Sequence, residues 1–180
     1  METFDELEED VRAAPRQLGT VRLIVRRPAV DEREVVGEAR LDVDEGVVGD
    51  NWRARGSSST ADGSAHPEAQ ITVMNARAAA SLAGAVERWP LAGDQLYVDF
   101  DISEENLPAG TRVLVGEAEI EVSAKPHTGC AKFSARFGKD ALRAVSEPTG
   151  RSLRLRGLNA RVTKSGTVRV GDRIEPVRSL

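Results

Sequence analysis

The chain is predicted to be mainly β, a β-barrel with two or three peripheral helices. Short runs alternate apolar and polar residues with period two, glycines sit between them at turn positions, and only two stretches carry helical spacing. With 180 residues the chain has room for one domain with a real core.

Residues 1–17 are acidic and read as an N-terminal tail or frayed helix outside the core, leaving 18–180 as the folded domain. Thr20–Val25 is rich in β-branched residues and reads as the first strand, ended by Pro28. Val35–Val43 reads as the second, and Gly46-Val47-Val48-Gly49-Asp50 as a turn. The polar stretch 55–69 is long for a loop and is expected to be a surface insertion rather than a lid. Ile71–Met74 reads as a short buried strand. Asn75 then caps a helix over Ala76–Ala83 that runs on towards Trp89 and stops at Pro90. Leu96–Ile102, Thr111–Val115 and Glu119–Val122 alternate, the last two joined at Gly116-Glu117. Leu142 and Val145, three apart, suggest a second helix over Lys139–Ser146. A closing hairpin is expected from Leu158–Thr163 through a Lys164-Ser165-Gly166 turn to Val168–Ile174. The total is about eight strands.

Composition narrows the function classes. The 40% hydrophobic and 30% charged residues are those of an ordinary globular protein, and no apolar run reaches about 18 residues, so no membrane span is expected. The acidic start is unlike a targeting peptide, and a single cysteine rules out a disulfide framework, so the cytoplasm is the expected location. The net charge of −4 is unevenly spread. Residues 123–180 carry thirteen Lys and Arg against four acids, a net of +9, which leaves −13 on the preceding 122 residues. A basic block suits an anionic ligand, or it packs against the acidic strands of the same domain. Nucleic acid is not expected, because only Phe133 and Phe137 there can stack on bases. Oligomeric state has no signature.

Cys130 lies in Lys125-Pro126-His127-Thr128-Gly129-Cys130-Ala131-Lys132. Nearby cations favour a thiolate, and Gly129 leaves little bulk in front of the sulfur. Four roles are open: nucleophile, sulfur carrier, metal ligand or inert buried residue. A protease-like site has only His127 nearby as base, since His66 lies in the 55–69 loop. Two histidines and one cysteine do not make a structural zinc site. No phosphate-binding glycine loop or dinucleotide fingerprint occurs.

The stretch Glu121–Cys130 resembles the central motif of MOSC domains, the C-terminal module of molybdenum cofactor sulfurases. Further segments follow in the family's order: Gly46–Asp50, Glu105-Asn106-Leu107, Val115-Gly116-Glu117-Ala118, and Gly166–Asp172. The resemblance spans roughly 19–177. It implies a β-barrel of the pyruvate-kinase-barrel kind and a role in molybdenum cofactor (molybdopterin) chemistry, as a sulfur carrier or a molybdenum-ligating oxidoreductase module. Cys130 would be the reactive group and metal ligand, with His127 beside it as a catalytic residue. Asn106 matches the Glu-Asn-Leu segment and is expected at the cofactor. Lys125, Lys132 and Arg136, chosen by charge and proximity, would meet the cofactor phosphate. The larger sulfurases add a pyridoxal-phosphate desulfurase domain, for which this chain has no room, so a cysteine desulfurase or an electron-donor protein is the expected partner. The competing expectation is a non-enzymatic barrel that binds an anion or a partner and whose cysteine is structural.

Overall fold

The computed structural model describes residues 3–177. The outermost ends of both expected segments, Arg178 included, lie outside the described residues. Helix α1 (Phe4–Arg12) leads into strands β1 (Gly19–Arg26), β2 (Glu34–Val36), β3 (Glu38–Asp42) and β4 (Gly46–Val47). The short helix α2 (Trp52–Arg55) precedes β5 (Ile71–Asn75), α3 (Ala76–Ala83) and β6 (Leu96–Asp99). Strands β7 (Arg112–Val115) and β8 (Ala118–Val122) lead to three successive helices, α4 (Ala131–Phe137), α5 (Lys139–Ser146) and α6 (Pro148–Ser152). Strands β9 (Leu158–Lys164), β10 (Gly166–Arg169) and β11 (Arg173–Pro176) complete the fold.

Seven strands close into a barrel in the order β11-β7-β8-β9-β5-β6-β1, and β1 pairs back onto β11 at Gly19 and Ile174. Only β5 and β6 run parallel, joined by the crossover through α3. Strand β2 extends β1, and β10, β3 and β4 form a separate three-stranded sheet. The predicted barrel with peripheral helices is therefore the observed one.

Alternation explains the interior. Val113 and Val115 of β7, with Ile120 and Val122 of β8, point inward and join Val21, Ile24, Val98 and Ala160. Strand β5 is buried along its whole length because both of its faces are covered. Ile71 and Val73 face the barrel, whereas Met74 meets a second cluster built with the helices. That cluster gathers Ala78, Ala79 and Leu82 of α3, Phe133 of α4, and Ala141 and Val145 of α5 around Tyr97. Burying each large aliphatic side chain contributes about 1.5–3 kcal/mol.

Several expectations are corrected. The N-terminal segment is not outside the core, because Leu7, Val11 and Ala14 are buried and the first two join the helix cluster. The helix starts at a capping box in which Thr3 Oγ1 accepts from Glu6 N and Glu6 returns to Thr3 N at 2.8 Å. The expected strand Val35–Val43 divides at Gly37, with its first part on β1 and its second on β10. Helix α3 has the expected Asn75 cap but stops at Gly84, and Val86–Ala92 is a 3₁₀ helix containing Pro90. The closing hairpin does not form. Gly171, at φ 92°, and Asp172, which accepts from Arg169 N at 2.8 Å, turn the chain, so that β10 pairs with β3 and β11 with β7 and β1. Helices α2, α4 and α6 were not anticipated. Among the described residues no helix is long and apolar enough to cross a membrane.

Candidate functional site

Strand β8 runs out into the segment 123–130, which is tied to β9 by Ser123 N donating to Asn159 O and Asn159 Nδ2 donating to Lys125 O. Gly129 then lies against α5. A Cβ at that position would stand 2.6 Å from Leu142 Cδ1 and 3.1 Å from Val145 Cγ2, so glycine lets the segment pack there with neither side chain displaced. Cys130 follows as the extended residue ahead of α4, and buried Phe133 anchors that helix. The Cys130 side chain is exposed, which corrects the inert buried reading.

Cys130 opens onto a cavity of about 430 Å³. The sequence-predicted residues Lys125, His127, Lys132 and Arg136 line it with Cys130. Asn106 is not brought there: its amide donates to Arg16 O and Asp101 O and borders a different depression beside Pro176. A second cavity, of about 340 Å³, lies against the same 125–128 segment and shares Lys125, His127 and Arg156. Residues 56–68 line neither cavity; only Arg55 and Ala69, at the ends of that stretch, reach the first.

Four arginines of the first cavity were not foreseen. Arg27 makes a fork to buried Asp50, with Nε to Oδ2 and Nη2 to Oδ1 both at 2.9 Å, and its Nη1 donates to Gly93 O. Burial pushes the Asp50 carboxyl up, but the Arg27 hydrogen bonds and charge outweigh it and hold the carboxyl below its ordinary value. Arg33 donates to Pro90 O and Glu32 O, and neither it nor Arg55 has a carboxylate partner among the described residues. Burial lowers both guanidinium values from the ordinary one; Arg136 and Arg27 add to this at Arg33, and Arg27 adds at Arg55. Asp31 opposes this at Arg33 and Asp50 at Arg55, but neither carboxylate is within ion-pair distance of the guanidinium it acts on.

Arg156 is the fourth, and it belongs to a buried triad. The Asp94 side chain is 0% exposed, and its Oδ1 stands 2.9 Å from His127 Nε2. Its Oδ2 takes Arg156 Nη1, while Arg156 Nη2 donates to Ala92 O at 2.7 Å. The Arg156 guanidinium also stacks 5.0 Å from the Phe133 ring centre. Burial lowers the His127 value, the Arg156 charge lowers it further, and the Asp94 contact opposes both without reversing them. The imidazole is therefore neutral, with its proton assigned to Nε2 by the carboxylate. Its Nδ1 has no partner among the described residues, and the ring borders both cavities, so Nδ1 is free to accept a proton or a hydrogen bond. Burial pushes Asp94 up as well, but the Arg156 charge and the hydrogen bonds from Arg156 and His127 keep it below its ordinary value.

The signals for these residues were weak. Arg27 and Arg33 lie in the half of the chain whose net charge is negative, and Asp94 follows a glycine in what reads as a turn. Among the described residues no group of three or more His, Cys, Asp or Glu could hold a metal ion.

Known proteins agree with this architecture. The model of the MOSC domain matches residues 50–175. The YuaD protein from Bacillus subtilis superposes with a TM-score of 0.67 at 15% identity, covering 91% of this chain and 97% of its own. YiiM from Escherichia coli gives 0.57 at 21% identity over 89% of this chain and 71% of its own. YiiM from Geobacillus stearothermophilus gives 0.58 at 15% identity, with coverage of 89% and 75%. No curated protein matches significantly. At these identities the solved structures speak for the fold, and the domain match speaks for descent: the chain belongs to the MOSC domain family.

Proposed function

We propose that the chain binds the molybdenum cofactor, a phosphate-bearing pterin, in the 430 Å³ cavity and presents the Cys130 sulfur to it. One observation carries this reading: the only thiol of the chain opens into the cavity that also gathers Arg27, Arg33, Arg55, Lys125, Lys132, Arg136 and Arg156. The family is generally linked to molybdenum cofactor sulfurase chemistry, which is the coarser support.

The residues present fit such a group. Guanidinium and ammonium groups recognise phosphate, and among the described residues Arg33 and Arg55 are in no direct ion pair with a carboxylate. A thiolate is a soft donor suited to molybdenum or to carrying a sulfur atom. The cavity falls within the roughly 300–1,000 Å³ of small-molecule sites. When bound, the cofactor would supply the redox-active metal centre. The chain's own part is to hold the phosphate with Lys132, Arg136 and Arg33 and to offer the sulfur of Cys130. His127 Nδ1, kept unprotonated, would accept the proton that a thiol or ligand gives up. A cysteine desulfurase or an electron-donor protein remains the partner this chemistry requires.

The test is purification from a host that makes the cofactor, with molybdenum and pterin measured on the wild type and on Cys130→Ser. We expect pterin and molybdenum in the wild type and loss of molybdenum, or of a desulfurase-loaded persulfide, in the variant. Equal molybdenum and pterin in both proteins would keep the cofactor in the cavity and remove Cys130 from its chemistry. Absence of pterin, metal and persulfide from the wild type would end the cofactor reading.

A further inference from the structure

The segment joining β1 to β2 contributes Ala29, Val30 and Asp31 to the cavity lining. Asp31 Oδ1 lies 3.3 Å from Lys132 Nζ and 3.2 Å from Arg136 Nη2, so one carboxylate oxygen engages both cations. The Asp31 backbone is set in a turn closed by Glu32 N donating to Ala29 O at 3.1 Å, but its side chain is held only by these two ion pairs. Its φ is 61°, in the left-handed region that side chains other than glycine rarely adopt, and its side chain is 61% exposed. Two of the neighbouring cations are placed without it, whereas exposed Lys132 pairs with Asp31 alone among the described residues. Arg136 donates through Nη1 to Leu91 O at 2.8 Å, and Arg33 donates to Pro90 O and Glu32 O.

We propose that Arg33, Lys132 and Arg136 form an oxyanion subsite for a phosphate monoester, and that Asp31 is its internal competitor, a carboxylate the ligand's phosphate displaces. This rests on reading the cavity as an anion site and adds how that site discriminates. A dianionic phosphate has more charge and more acceptor oxygens than the carboxylate it replaces, so displacement is favourable. A ligand with a single carboxylate merely exchanges like for like. Exposed ion pairs are weak, so the latch opens readily. It still lowers apparent affinity by the fraction of time it is closed, about fivefold for a latch closed roughly four-fifths of the time.

The probe is inorganic phosphate, titrated by calorimetry or amide chemical shift, with acetate as the monoanion control. Asp31→Asn is the variant of choice because asparagine tolerates positive φ while losing the charge; Asp31→Gly suits the same backbone if the first variant folds poorly. We expect phosphate to bind the wild type more tightly than acetate. Either Asp31 variant should bind it about fivefold more tightly than the wild type, and Arg136→Gln should lose it. Phosphate affinity unchanged or weakened in both Asp31 variants, or no phosphate binding in any protein, would overturn the proposal. Its failure is separable from that of the cofactor reading. Phosphate binding under Asp31 control with no pterin in the purified protein would keep the latch and remove the cofactor, and pterin retention insensitive to Asp31 would do the reverse.

Discussion

His127 Nε2 stands 2.9 Å from Asp94 Oδ1, and the other oxygen of that buried carboxylate is taken by Arg156. One negative charge thus serves two bases. Burial, and after it the Arg156 charge, keep the imidazole neutral against the pull of Asp94, and its free nitrogen borders the cavity. Replacing Arg156 by Gln should raise the His127 value, because a repelling cation is removed while the carboxylate remains. Ring-proton NMR against pH reads this directly, and an unchanged or lower value would contradict the account.

The same triad sets an acid response. The His127 value is lower in the folded chain than the ordinary value of about 6.5, so below that pH the unfolded chain binds the proton first and stability falls. Asp94, also held below its ordinary value, adds a further loss as pH drops through the carboxylate range. We expect the thermal midpoint to decline from about pH 6.5 downward, and His127→Gln to flatten the first part of the decline.

Arg27 and Asp50 form the second buried pair of the site, with side chains 8% and 0% exposed. Asp50→Ala would leave the guanidinium without its fork partner and should cost about 3–5 kcal/mol in denaturant unfolding. A loss near that of a surface pair, under about 1 kcal/mol, would show that water replaces the carboxylate.

Leu7 is 1% exposed against the helix cluster. Leu7→Ala should cost about 2–5 kcal/mol, and Thr3→Ala, which removes the cap, about 1 kcal/mol. Denaturant midpoints that match the wild type for both variants would return the N-terminal helix to the status of an appendage.

Gly129→Ala tests how the thiol is placed. The added methyl meets the tip of the Leu142 side chain and Val145, so Leu142 must turn aside or the segment 123–130 must shift, at up to about 1–3 kcal/mol. The wild-type Cys130 should react with a thiol reagent in the native state because it is exposed. A changed reaction rate in Gly129→Ala would show that packing under the loop positions the sulfur.

The barrel was legible because half-buried strands alternate, as Arg112–Val115 and Ala118–Val122 do. The three-stranded sheet was not. Val168 and Ile174 carry the pattern of one strand, and only the left-handed turn at Gly171 sends them to different partners. In the site, the residues near Cys130 were legible by proximity: Lys125, His127, Lys132 and Arg136 share its cavity. Arg27, Asp50, Asp94 and Arg156 were not, because a charged residue looks solvated until its partner is known. Those partners lie 23 residues away for Arg27 and Asp50, and 62 for Asp94 and Arg156. The Glu-Asn-Leu segment placed Asn106 with the cofactor, whereas its amide is used on backbone carbonyls near Arg16.

The seam between β1 and β11 joins Gly19 to Ile174, nearly the full length of the folded chain. During synthesis the ring has no way to close until its last strand leaves the ribosome, and the free edges of β1 and β7 wait unpaired in the meantime. A nascent chain stopped near residue 170 should therefore lack cooperative unfolding altogether and be prone to clump or to recruit chaperones. Ribosome-bound chains of graded length, probed by limited proteolysis, should turn resistant in a single step only once residues 173–176 are free.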